Sequence, residues 1–82
     1  MLVKELFEID KIHVPVKRMK SLDAAKVDEI AISMLEEGQT TPIRLRAGKD
    51  RFVLIEGLHR LEALKALGES KVEGYLVRAQ LH

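Results

Sequence analysis

Eighty-two residues, 46% hydrophobic and 33% charged, make one globular domain at most, since a chain of this size buries roughly 60–65% of its unfolded surface around a single core. No cysteine is present, which excludes disulfides, thiolate zinc sites, iron–sulfur clusters and cysteine nucleophiles together. Fourteen basic against thirteen acidic residues leave a net charge of +1, so there is no global pull toward nucleic acid or membrane.

In chain order, residues 2–9 do not alternate cleanly. An opening strand is favoured, because Ile9, Ile12 and Val14 continue an extended apolar series up to Pro15. Residues 10–21 read as an irregular basic connection, with Lys11, Lys17, Arg18 and Lys20 and no acid from Lys11 onward. A helix follows from Ala24 to Glu37, where Val27, Ile30, Ala31, Met34 and Leu35 form one apolar stripe. Asp23 or Ser21 caps its start and Gly38 stops it. Thr41-Pro42 opens a strand in which Ile43, Leu45 and Ala47 alternate with Arg44 and Arg46, so one face is buried and the other basic. Gly48-Lys49-Asp50 supplies a hairpin turn. Residues 52–55 are continuously apolar, as in a central strand covered on both faces. A second helix runs from Gly57 to Leu67 with Leu58, Leu61, Leu64 and Leu67 at helical intervals, and a last strand covers 71–79. The expected fold is α+β, a small mixed sheet of about four strands with two main helices. No apolar run nears the ~20 residues that cross a bilayer. The mixed-charge start lacks a signal-peptide core, so a cytoplasmic location with no membrane partner is expected.

The junction Phe52–Arg60 carries the chemistry. A buried strand ends, Gly57 turns the chain, and a helix begins with His59 and Arg60 in its first turn. Free N–H groups and a partial positive charge at a helix start attract anions, and cationic side chains there oppose the helix dipole unless an anion offsets them. A phosphate site is one reading; an arginine paired to Glu56 or Glu62 is the other. The strip Arg44, Arg46, Lys49 and Arg51 stays open between a solvated face and a nucleic-acid contact. The three histidines show no metal-ligand spacing.

Over residues 9–80 the ordered set of motifs resembles the ParB/sulfiredoxin superfamily. The points of match are Val14-Pro15-Val16-Lys17-Arg18, Leu22-Asp23-Ala24-Ala25-Lys26-Val27, Glu37-Gly38, Thr41-Pro42-Ile43-Arg44-Leu45 and, above all, Glu56-Gly57-Leu58-His59-Arg60. The resemblance implies a nucleotide whose phosphates are held by Gly57, His59 and Arg60. Lys26 matches a helix lysine that reaches the nucleotide, Ser33 falls near a hydroxyl position, and Arg18 or Lys17 matches an upstream basic residue near the phosphates. Glu56 stands where free-serine kinases of the superfamily carry an acidic site residue. The sulfiredoxin nucleophile position is Leu58, and leucine cannot attack phosphate or carry a sulfinyl group; sulfiredoxin activity is excluded. The DNA-reading and dimerisation regions of full ParB proteins have no counterpart in these residues.

The expected function is a nucleotide-binding domain taking ATP or CTP with magnesium. It would act as a switch or slow hydrolase linked to DNA or plasmid maintenance. The alternatives are phosphotransfer to a small hydroxyl acceptor with Glu56 as base, and a DNA-binding or nuclease module using Arg44, Arg46, Lys49 and Arg51. A homodimer, in which a second copy covers part of an exposed sheet, stays open beside a monomer.

Overall fold

The computed structural model describes residues 3–38 and 41–78. Strand β1 (Lys4–Glu8) leads through a 3-10 turn (Ile9–Lys11) into the two-residue β2 (Ile12–His13). A short helix α1 (Val16–Met19) precedes the long α2 (Ala24–Glu37). Strands β3 (Ile43–Gly48) and β4 (Arg51–Glu56) form a hairpin, followed by helix α3 (Leu58–Ala66) and strand β5 (Lys71–Leu76).

Helix α2 has the bounds its periodicity predicts. The Asp23 carboxylate accepts from the Ala25 N–H at 3.0 Å, and Gly38 ends the helix in the left-handed region with its N–H donating to the Met34 carbonyl. The apolar stripe is narrower than expected. Met34 is buried and Val27, Ile30 and Ala31 pack against the core, but Leu35 is 72% exposed. One residue past the stripe's last turn is enough to rotate a side chain off the core face.

The sheet order is β1-β5-β3-β4-β2, which makes β3 the central strand. Pairs β1–β5 and β3–β4 are antiparallel, while β5–β3 and β4–β2 are parallel. The fifth strand lies inside the segment expected to be irregular, as does α1. Ile9 does not prolong β1: it turns, donates its N–H to the Ser70 carbonyl at 2.9 Å, and lets Ile12 pair with Phe52 instead. The sheet coils around its core strongly enough that Phe7 on β1 and Phe52 on β4 meet edge to face, with ring centroids 4.9 Å apart.

Ile43, Leu45, Leu54, Val72 and Phe7 form the core face of the sheet, against Leu58, Leu61, Ala63 and Leu64 of α3 and Met34 of α2. Val53 is buried but stands on the opposite face, outside this cluster. The expectation that residues 52–55 lie between two covering layers is therefore corrected, because α2 and α3 pack on one side of the sheet. Among the described residues no helix is long and apolar enough to cross a membrane.

Candidate functional site

The site grows from the end of β4. Gly57 has φ +109°, a conformation that L side chains rarely adopt. A Cβ on Gly57 would also sit 2.6 Å from Ile43 Cγ2. The glycine thus serves the core as well as the turn, which the sequence alone does not reveal. It brings α3 down onto β3 and drops Leu58 into the core at 7% exposure.

The first intrahelical bond of α3 runs from the Leu61 N–H to the Gly57 carbonyl at 2.9 Å. The N–H groups of Leu58, His59 and Arg60 precede it and have no partner within the helix. No side chain caps this end and no acidic residue lies in the first turn. His59 reaches sideways, and its Nε2 accepts the Asp23 N–H at 3.0 Å. Two helix starts are thereby tied together, because Asp23 is the N-cap of α2. An accepting Nε2 on a neutral ring leaves the proton on Nδ1, so Nδ1 is the nitrogen with a hydrogen to donate.

Between the two helix starts lies a cleft of 270 Å³ lined by Lys26, Ile30, Gly57, Leu58, His59 and Arg60. No carboxylate belongs to this lining. Neither Lys26 nor Arg60 takes part in an ion pair among the described residues, and Glu62 is engaged by Lys65 at 3.0 Å. The pairing of Arg60 with Glu56 or Glu62, open from the sequence, is not made. Unpaired cations with free N–H donors and no competing acid fit a phosphate group. A larger concavity of 470 Å³ at the other end of α3 includes Glu8, Asp10 and Glu69 beside Lys65 and Lys71; its mixed signs favour no anion.

Of the residues expected at the site, Lys26, Gly57, His59 and Arg60 come together. Arg18 on α1, the exposed Ser33 on α2 and the exposed Glu56 at the end of β4 lie outside the lining. Arg44, Arg46 and Arg51 are exposed on the sheet and Lys49 sits in the hairpin turn. Two contributors escape sequence reasoning. Ile30 forms apolar wall one helical turn beyond Lys26, a spacing that could have flagged it. Asp23 is read as a cap, while its N–H partner His59 is 36 positions away.

A coiled mixed sheet with helices on one face and a strand–glycine–helix notch between their starts is the ParB/sulfiredoxin type of domain. Within that type the chain belongs to the ParB N-terminal domain family, whose model matches residues 3–81. It is 36% identical over 72 residues to a probable chromosome-partitioning protein ParB of Campylobacter jejuni, an alignment covering 87% of this chain and 26% of that protein. Among solved structures, sulfiredoxin from Arabidopsis thaliana superposes with TM-score 0.81 at 26% identity, covering 94% of this chain and 86% of that one. The C-terminally truncated chromosome-partitioning protein ParB from Caulobacter crescentus, complexed with CTP-γ-S, superposes with TM-score 0.78 at 16% identity, a likeness of fold. The match covers 95% of this chain and 46% of that structure. The chain thus spans about a quarter of the Campylobacter relative.

Proposed function

We propose that the domain binds a nucleoside triphosphate, ATP or CTP, with its phosphates in the cleft between α2 and α3. The observation that carries this reading is the convergence of Lys26, His59 and Arg60 on one cleft whose lining holds no carboxylate. The Arg60 guanidinium offers a forked contact to phosphate oxygens, Lys26 a mobile point charge from the facing helix, and His59 an Nδ1 donor. The free N–H groups at the start of α3 add uncharged donors. At 270 Å³ the cleft is below the ~300–1,000 Å³ of whole-ligand pockets, which suits a phosphate tail with the nucleoside along the rim. Magnesium would be held mainly by the phosphates and water, since the lining offers it no acidic side chain. The CTP-γ-S complex of a ParB with this fold supports the assignment.

By association with the chromosome-partitioning relative, the bound nucleotide would serve as a switch, or be slowly hydrolysed, in DNA or plasmid maintenance. Arg18 and Ser33 would at most assist from outside the cleft. Phosphotransfer with Glu56 as base has less support, because that carboxylate is outside the lining.

A thermal-shift and calorimetric screen of CTP, ATP, ADP and GTP with magnesium tests the proposal. Ligand at 100 times its dissociation constant adds about 2.7 kcal/mol of stability, so a triphosphate site gives a clear rise in melting temperature that Arg60→Ala removes. No shift with any of the four at millimolar concentration overturns the reading. ADP release that depends on added serine would replace it with the kinase alternative.

A further inference from the structure

The sheet has a second functional face, and the geometry points to a single-stranded nucleic acid as its partner. This inference is independent of the nucleotide cleft. Residues paired across neighbouring strands project to the same side of a sheet. Register pairs Arg46 with Val53, Gly48 with Arg51, Arg44 with Tyr75 and, past a bulge, with Glu56, and His13 with Val53. A Cβ built on Gly48 would meet Val53 Cγ2 at 3.0 Å and Arg51 Cγ at 3.7 Å, which places both on that side. Arg44, Arg46, Arg51, His13 and Tyr75 therefore share the face that α2 and α3 leave open.

The arginines are exposed, and none of the ion pairs among the described residues engages them. On the neighbouring β1–β5 half of this face, by contrast, Lys4 is matched by Glu73 at 3.5 Å. The two halves differ in charge: on β3–β4 three arginines, Arg44, Arg46 and Arg51, outnumber the one carboxylate of those strands, Glu56 opposite Arg44, so the excess there is cationic. Arg44 and Arg46 stand roughly 7 Å apart along the strand, two residues of extended chain. Tyr75 lies half-buried beside Arg44, a ring on which a base can stack next to a guanidinium that holds a phosphate.

Shape selects single strand over duplex. A two-stranded ribbon can enter the ~12 Å major groove of DNA. Here the basic hairpin is flanked by β5 on one side and β2 on the other. Five strands span about 19 Å at ~4.8 Å each, too wide for the groove. A strand with splayed bases can lie across such a face, and a duplex can touch it only along its rim.

Fluorescence anisotropy of a labelled oligodeoxythymidylate, titrated with the 82-residue chain at 50, 100 and 200 mM salt, tests this. Three phosphate contacts give a log–log salt slope of about −2, a loss of roughly 20-fold across that range. The variant combining Arg44→Gln, Arg46→Gln and Arg51→Gln should flatten the slope and weaken binding at least 10-fold at 50 mM. The corresponding triple lysine variant should keep the slope, and Tyr75→Leu should weaken binding without changing it. Arg60→Ala should bind as the wild type does. Absence of salt-dependent binding by the wild type, equal binding by the triple glutamine variant, or tighter binding of a duplex of the same length overturns the assignment. Loss of binding in Arg60→Ala also overturns it, by moving the strand to the cleft.

Discussion

Gly57 meets two demands at once: a left-handed backbone and a contact with Ile43 that leaves no room for a methyl group. Gly57→Ala should cost about 2–4 kcal/mol, combining backbone strain with overpacking. A urea titration would read this as a lower midpoint at unchanged slope. Full stability in that variant would mean that the turn relaxes freely. His59 also has two tasks, because its Nε2 holds the Asp23 N–H while the rest of the ring faces the cleft. His59→Ala should lose about 0.5–1.5 kcal/mol from the hydrogen bond alone and weaken triphosphate binding further. Calorimetry on the variant separates the two, and unchanged affinity would reduce His59 to a clamp.

Helix α3 starts with Arg60 and His59 and no acid, against the preference of a helix dipole. Removing Arg60 should therefore leave the apo domain equally stable or stabilise it by up to about 1 kcal/mol, while triphosphate binding is lost. Opposite signs for stability and binding identify a residue placed there for its ligand; a large loss of stability would contradict that. Helix α2 has the ordinary arrangement, and Asp23→Ala should cost about 1 kcal/mol through loss of its cap to Ala25. The contrast also marks how far the sequence could be read. Ala24–Glu37 has fourteen residues over which to repeat its period and a capping residue at each end, so its bounds are legible. Ile12–His13 and Val16–Met19 are too short to show any period, and tertiary pairing alone makes them structure. The basic character of the α3 start is visible in consecutive letters, whereas its meeting with Lys26 depends on how two helices pack.

The whole domain rests on one layer of helices against one side of the sheet. Ile43, Leu45 and Leu61 are fully buried in that single interface. Leu61→Ala should cost about 2–5 kcal/mol, a large part of the roughly 5–15 kcal/mol available to a small domain. A cooperative melt persisting within a few degrees of wild type would show that the core repacks. The sheet order has one more consequence. Among the described residues strand β1 has a single neighbour, β5, which is the last of the described elements. During synthesis β1 leaves the ribosome before β5 and must wait, its hydrogen-bonding groups open, until β5 has emerged. The hairpin and α3 can associate early through short loops, but closure of the β1 edge comes late and joins distant parts of the chain. A nascent chain stalled just before Lys71 would expose the flank of β3 that β5 covers, a template for another molecule's strand.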